Sequence, residues 1–315
     1  MKKGKQPTEP AVLQAFARLL GTKLRNGRMK IPDAYGQGYC RGYVFNEHIR
    51  MLILNYELKE EVILHNPEVH MVGKMILFKF QHIFQMEEDR PPAFPSVLIA
   101  TSTLDTDAVI PIQSSISSIN IEVDAGYLNS IFESSNKSPA LQSLLQNTQP
   151  LLFEQLIHPA LQKVVDEMMT EQVDEVFELF FLRIKAEEMV CRLLMELEKR
   201  DEEHLYALNS KDIQAIYKIR ERMLARIDVQ PVIDELALAA NMSPTKLKRL
   251  FRQIFGNSIF SYYQEFRMKE AARLLKEEHL SVSDVGYQLG FSNLSHFAKV
   301  FKEHMGVNPK KYAMG

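Results

Sequence analysis

Glu235-Leu-Ala-Leu-Ala-Ala-Asn241-Met-Ser243-Pro-Thr-Lys-Leu247-Lys-Arg-Leu-Phe251-Arg-Gln-Ile-Phe-Gly256 decides how the chain is read, because a second stretch repeats it. That stretch is Asp284-Val-Gly-Tyr-Gln-Leu-Gly290-Phe-Ser-Asn-Leu-Ser-His-Phe297-Ala-Lys-Val-Phe301-Lys-Glu-His-Met-Gly306. Leu247 falls on Phe297, Arg249 on Lys299, Phe251 on Phe301, Arg252 on Lys302, Gly256 on Gly306 and Tyr262 on Tyr312, each pair 50 positions apart. Ala237 with Gly286 and Asn241 with Gly290 are 49 apart, so the second copy has one extra turn residue. Self-similarity at a fixed spacing marks a structural unit used twice.

Each copy reads as a short helix, a tight turn and a second helix. Ile233, Leu236, Ala237 and Ala240 recur at helical spacing. Asn241 and Gly290 stand where the chain must turn sharply, and both residue types tolerate the left-handed conformation. Ser243 caps the next helix with Pro244 at its first position, and Ser292 or Asn293 does so in the second copy. Leu247, Leu250, Phe251 and Ile254 face inward in the first copy, and Phe297, Val300 and Phe301 in the second. Thr245, Lys246, Lys248, Arg249 and Arg252 form the outer face of the first, and Asn293, Leu294, Ser295, His296, Lys299 and Lys302 that of the second.

Such a pair fits a helix-turn-helix, whose second helix enters the DNA major groove. Two copies suit adjacent grooves on one face of a duplex, roughly 34 Å apart. Arg249 and Lys299 hold equivalent mid-helix positions and are the candidates to reach base edges or nearby phosphates. Leu294 suits a thymine methyl, and the lysines and Arg252 suit phosphates. Between the copies, Phe260, Tyr263, Phe266, Met268, Ala271, Leu274 and Leu275 give a helical spacer with a buried face. An amphipathic helix with a basic outer face is by itself only a solvated helix. The joint duplication of cap, turn, apolar and basic positions favours DNA binding.

The stretch from about Lys218 to Ala313 resembles the DNA-binding domain of the AraC/XylS family of transcription regulators. The matching residues are Glu235-Leu-Ala, Ser243, Leu247-x-Arg249-x-Phe251, Phe255-Gly256, Arg267-Met-x-x-Ala271-x-x-Leu-Leu275, Leu289-Gly-Phe291, Ser295-His-Phe297, Phe301-Lys302 and Gly306-x-x-Pro309-x-x-Tyr312. Gly286 departs from it, since that position is more often Ala in the family. The resemblance implies a C-terminal double helix-turn-helix domain, helix-turn-helix units at about 232–255 and 282–305, and transcription regulation.

The chain has 315 residues, 46% hydrophobic and 25% charged, a balance that suits two globular domains. Its net charge of −2 hides an asymmetry. From Asp228 on, 12 Lys and Arg face 9 Asp and Glu, a balance of +3; before it, 26 face 31, a balance of −5. A basic end joined to an acidic remainder fits a nucleic-acid-binding tail domain. No apolar run approaches the ~20 residues of a membrane span. Lys2-Lys-Gly-Lys5 lacks the apolar core of a secretion signal. Cys40 and Cys191 stand alone, without metal spacing, and are expected to be free thiols in a reducing cytoplasm.

The rest of the chain is expected to be α+β. Residues 1–35 form an N-terminal arm and helix, the helix carried by Val12, Leu13, Phe16, Leu19 and Leu20. Lys23, Arg25, Arg28 and Lys30 read as a solvated loop or as a basic arm for phosphates. Residues 36–137 read as a β-rich effector-binding domain, a cupin-like barrel or a sandwich. Its short strands include Glu61–Leu64, Met71–Phe84, Ser96–Thr101, Ala108–Ile112 and Ser118–Val123, separated by turn signals such as Asn66-Pro67, Pro91-Pro92 and Asp105–Asp107. Small barrels can enclose one small ligand. Residues 138–209 read as a helical linker or dimerisation region, with one helix from Leu151 to Met169, kinked or restarted at Pro159, and a longer one from Glu171 to Arg200. The apolar face of the longer helix is broad enough to meet the sheet on one side and a second subunit on the other, or to pack wholly within its own chain. Residues 210–315 form the DNA-binding domain.

Enzymatic readings find little support. His65, His70 and His82 lack a His-x-His pair or a suitably spaced carboxylate. Ser114, Ser115, Ser117 and Ser118 surround no Gly-x-Ser-x-Gly elbow. A DNA-repair methyl acceptor needs a reactive Cys in a basic setting, and neither Cys40 nor Cys191 has one. No cofactor or metal is expected. The expected partners are double-stranded DNA at two adjacent major grooves per chain, a second copy of the chain, RNA polymerase and an unidentified small-molecule effector. The alternatives are a constitutive DNA-binding regulator and a protein-interaction module without a ligand.

Overall fold

The computed structural model describes residues 9–60, 74–83, 94–102, 115–132, 137–200 and 204–314. The strands expected at Glu61–Leu64 and Ala108–Ile112 lie outside the described residues. So do His65, His70 and the turns at Asn66-Pro67, Pro91-Pro92 and Asp105–Asp107. The chain divides into two compact units, residues 1–210 and residues 211–315. The architecture is α+β: an antiparallel sheet with helices, then an all-helical unit. Among the described residues no helix is long and apolar enough to cross a membrane.

In the first unit, seven strands form one sheet in the order β1-β2-β3-β6-β4-β5-β7. They are β1 (Arg28–Lys30), β2 (Gly36–Val44), β3 (Ile49–Leu58), β4 (Met75–Gln81), β5 (Ser96–Thr101), β6 (Ser115–Asp124) and β7 (Leu152–Leu156). All described pairings are antiparallel. Alternation along each strand separates two faces. Met51 and Ile53 of β3, Ile76, Phe78 and Phe80 of β4, and Ile119, Ile121 and Val123 of β6 point into one core. Helices α2 (Ala125–Ile131), α3 (Pro139–Gln146), α4 (Pro159–Thr170) and α5 (Glu175–Glu198) cover that core. Phe78 and Phe80 are wholly buried, and truncating either to Ala costs about 3–5 kcal/mol. On the other face, α1 (Ala11–Leu19) lays Leu13, Phe16 and Ala17 against Met29, Cys40, Leu52 and Tyr56.

Two elements differ from the sequence expectation. The segment read as helical from Leu151 begins instead with strand β7, which pairs with β5 from Ala100↔Leu152 to Ser96↔Leu156. The helix starts only at Pro159, capped by His158, whose Nδ1 accepts from the Ala160 N–H. The basic stretch before Gly36 is also not a free arm throughout. Arg28 lies in β1 and forms a salt bridge with Glu178 of α5.

The broad apolar face of α5 is divided along the helix. Leu182, Ala186, Met189, Val190, Leu193, Leu194 and Leu197 are buried in the sheet's core. Val176, Phe177, Leu179, Phe180 and Ile184 are exposed.

On the sheet face opposite the main core, β6 places Ser118 and Asn120 side by side. Register sets Ser118 across from Leu54 and Gln81, and Asn120 across from Leu52 and Lys79. Ser118 Oγ and Asn120 Oδ1 are buried and find no hydrogen-bond partner among the described residues.

Candidate nucleic-acid interface

The second unit holds the repeated stretch. Helices α6 (Ser210–Leu224), α7 (Ile233–Ala239), α8 (Pro244–Phe255), α9 (Ile259–Lys276), α10 (Val282–Gln288), α11 (Leu294–Met305) and α12 (Pro309–Met314) follow in order. The two helix-turn-helix units are α7–α8 and α10–α11.

Each turn is built as the residues require. Asn241 adopts φ +51°, and Gly290 adopts φ +77°. The two positions are not equivalent, however. A Cβ on Gly290 would sit 2.0 Å from the Asp228 carbonyl oxygen, so only glycine fits there. Ser243 caps α8 by accepting from the Lys246 N–H at 3.2 Å, with Pro244 following. Asn293, not Ser292, caps α11, its Oδ1 accepting from the N–H groups of Ser295 and His296 at 2.9 and 3.1 Å. Both helices end at left-handed glycines, Gly256 and Gly306.

The repeat extends to the packing. Phe251 meets Tyr262 edge-on with centroids 5.4 Å apart and planes at 83°. Phe301 meets Tyr312 at 5.4 Å and 77°. Edge-to-face pairs of this kind add about 0.5–1.5 kcal/mol beyond their buried area. The same joint therefore fastens each second helix to the segment that follows it.

The outward residues fall on two surfaces. On α8, Thr245, Lys248, Arg249 and Arg252 are exposed, while Leu247, Leu250, Phe251 and Ile254 are buried. Lys246 is half-buried, its Nζ 2.8 Å from Asp212 Oδ1 on α6, which offsets part of its charge. On α11, Ser295, His296, Lys299 and Lys302 are exposed, and Phe297, Val300 and Phe301 are buried. Asn293 is exposed but its side-chain oxygen is engaged in the cap. Leu294 is half-buried against α10, where a Cβ on Gly286 would come within 2.6 Å of its Cδ2. Leu294 therefore rests on the missing side chain of Gly286, which gives that departure from the family pattern a local purpose.

The spacer α9 departs from the expected pattern in one place. Phe260 is 47% exposed, and Tyr262 lies buried in its stead, against Phe251 and Phe255. Three residues join the parts: Tyr263, expected on the buried face of the spacer, and Arg267 and Asp212, whose partners spacing does not show. The Tyr263 hydroxyl donates to the Ile227 carbonyl at 2.7 Å. The Arg267 guanidinium donates through Nε and an Nη to the Leu289 carbonyl and lies 3.7 Å over the Phe291 ring. Asp212 holds Lys246. Burial pulls the Arg267 pKa below its ordinary value, though an arginine stays charged regardless. Arg273, held by Glu270 and Glu278, is shifted the opposite way.

A family profile described as a helix-turn-helix domain matches residues 236–314. The HTH-type transcriptional regulator GbdR of Pseudomonas aeruginosa is 32% identical over 113 residues, covering 36% of this chain and 30% of that protein. The HTH-type transcriptional regulator MtrA of Neisseria gonorrhoeae is 27% identical over 173 residues, 54% of this chain and 57% of that protein. The chain thus spans between about a third and somewhat over half the length of these curated relatives. Among solved structures, a transcriptional regulator of the AraC-type DNA-binding class from Chromobacterium violaceum is 27% identical, covering 34% of this chain and 95% of that one, with a TM-score of 0.31. Taken with the duplicated caps, turns and aromatic joints, the profile match and these relatives show that the C-terminal unit of this chain belongs to the AraC family of helix-turn-helix domains.

Proposed function

We propose that the chain is a sequence-specific DNA-binding transcription regulator in which α8 and α11 enter successive major grooves of one duplex. The observation that carries this reading is the pair of side-chain-capped helices, each with an apolar face buried and a basic face exposed. Arg249 reads a base edge, with about 1–3 kcal/mol of discrimination for a bidentate contact to guanine. Lys248, Lys299, Arg252 and Lys302 supply salt-dependent attraction to phosphates. Mobility shifts with promoter DNA over a salt series test this. Arg249→Ala relaxes sequence preference, whereas Lys302→Ala weakens all sequences alike and lowers the salt slope by about one unit. Binding unaltered by either change would sink the assignment.

The first unit supplies the response to a small molecule. Support comes from Ser118 and Asn120, whose buried oxygens lack partners among the described residues on a sheet face where they neighbour Leu52, Leu54, Lys79 and Gln81. A polar ligand atom satisfies both, since leaving such groups unpaired costs about 1–3 kcal/mol each. Thermal melting against a metabolite panel checks it, because a ligand bound only to the folded state raises stability. No shift with any compound, together with ligand-independent DNA binding, favours a constitutive regulator.

A further inference from the structure

Three arginines stand in one row at the edge of the sheet in the first unit. Arg25 pairs with Arg28 in an isolated bridge, and Arg28 pairs with Arg41 of β2. Residues paired across antiparallel strands point to the same face, about 5 Å apart at Cβ. That face is the one α5 packs on, since Arg28 bonds Glu178 and Tyr43 of β2 belongs to the main core. The next pairing along, Lys30↔Tyr39, adds a fourth cation to it.

The backbone fixes the row. Arg25 and Arg28 exchange two N–H···O bonds of 2.9 Å around Asn26 (φ +50°) and Gly27 (φ +71°), a two-residue type I′ hairpin. The Gly27 carbonyl accepts from the Gly42 N–H at 2.7 Å, and the Gly27 N–H donates to the Glu9 carboxylate at 2.9 Å. A Cβ on Gly27 would lie 2.2 Å from the Gly42 carbonyl oxygen, so the hairpin lies close against β2.

Like charges directly opposite in a sheet repel and destabilise it. Glu178 neutralises Arg28. Among the described residues Arg25 and Arg41 have no carboxylate partner, and Arg41 lies 4.8 Å over the Tyr39 ring. An anion from outside the chain relieves this repulsion.

We propose that Arg25, Arg28 and Arg41 form a second DNA contact, outside the helix-turn-helix unit, that takes backbone phosphates of the duplex held by α8 and α11. The inference rests on the DNA-binding reading for its partner. Three features select a duplex over other anions. Arg25, Arg28 and Lys30 are exposed on an edge hairpin, where an extended partner fits, whereas a small ligand is held in a concave site. The row spans roughly 10 Å over three strands. A DNA strand carries a phosphate every ~3.4 Å of helix axis, so the row meets more than one phosphate at once. Guanidinium forks also match phosphate oxygens two at a time. A duplex already bound by the C-terminal unit reaches the row at high effective concentration. The contact adds affinity without sequence preference.

Fluorescence anisotropy of the full chain with a long mixed-sequence duplex over a salt series tests this. Arg25→Gln combined with Arg41→Gln lowers the low-salt affinity at least about tenfold and the slope of log affinity against log salt by about two units. The same double variant melts no lower than the wild type, because repulsion is removed; weakened binding with a lowered melting temperature assigns the arginines a structural role and overturns the proposal. Arg25→Gln alone lowers the slope by about one unit and serves if the double variant fails to fold; no change there overturns the proposal. An unchanged slope in the double variant, with Lys302→Ala still lowering it, overturns the proposal and leaves the DNA reading of α8 and α11 standing. A slope lowered by the double variant but by neither Arg249→Ala nor Lys302→Ala supports the row and sinks the recognition helices. Wild type that binds no duplex overturns both. Inorganic pyrophosphate that raises the melting temperature of the wild type but not of the double variant, with duplex binding the same in both, assigns the row to a small phosphate and overturns the proposal.

Discussion

The guanidinium of Arg267 lies 3.7 Å above the ring of Phe291 while donating to the Leu289 carbonyl at the end of α10. One buried side chain of the spacer helix thereby holds the turn that launches the second recognition helix. It satisfies an orphan helix carbonyl and covers an aromatic face at once.

Replacing Arg267 by Ala removes both interactions and leaves the Leu289 oxygen buried without these donors. We expect a loss of about 2–4 kcal/mol in urea unfolding of the C-terminal unit. Arg267→Lys keeps the charge but not the planar fork, so it recovers little of the loss. A footprint in which the part protected by α11 weakens before that protected by α8 is the matching functional outcome. Equal stability of Arg267→Ala and wild type would rule this role out.

The two turns respond unequally to substitution. Gly290→Ala drives a Cβ into the Asp228 carbonyl at a positive φ and costs at least about 2 kcal/mol. Asn241→Gly relaxes a left-handed residue that carries no such crowding, and shifts stability by less than about 1 kcal/mol. Paired denaturation curves check the contrast, and comparable losses at both positions contradict it.

Asp212 restrains Lys246 through the 2.8 Å contact between α6 and α8. Asp212→Asn frees that ammonium for phosphate. Affinity at low salt therefore rises, and the slope of log affinity against log salt steepens by up to about one unit. An unchanged slope shows that Lys246 does not face DNA.

The cysteines behave differently towards thiol reagents. Cys40 is buried beneath α1, and burial pushes its thiol up to about 12 from an ordinary value of 9.0. The native chain therefore exposes one reactive thiol, Cys191, and Cys40 reacts only on unfolding. The raised value makes the folded state hold its proton more tightly than the unfolded chain does. This contribution to stability is complete below about pH 9 and is lost as pH rises towards 12. Labelling of two thiols at neutral pH in the native chain contradicts the prediction.

The C-terminal unit was legible because its signals are local and doubled. The caps and the apolar stripe of the second helix occur twice 50 positions apart and the turn residues twice 49 apart, and the structure repeats even the aromatic joints. What stayed hidden depends on tertiary pairing. Leu151-Leu-Phe-Glu-Gln-Leu-Ile157 is a short apolar run compatible with either helix or strand, and only the edge offered by β5 makes it β7. Phe260 and Tyr262 lie two apart on α9, so the stripe was traced a fraction of a turn off. Arg267 and Asp212 look like ordinary solvated charges in sequence, because their partners, a backbone carbonyl and a lysine 34 positions on, are set by the fold. The exposure of α5's first half was invisible for the same reason: periodicity reports an apolar face, not what meets it.

The junction in the C-terminal unit has a mechanical consequence. Ile227 and Asp228, which precede the first helix-turn-helix, touch Tyr263 of the spacer and Gly290 of the second turn, and Arg267 bolts that turn to the spacer. These contacts join both helix-turn-helix units to one spacer and so favour a single spacing between α8 and α11. On the proposed reading, in which both helices enter one duplex, the DNA bends or twists to meet that spacing. Operators rich in easily deformed steps between the two contacted segments should then bind more tightly than stiff ones carrying the same contacted bases.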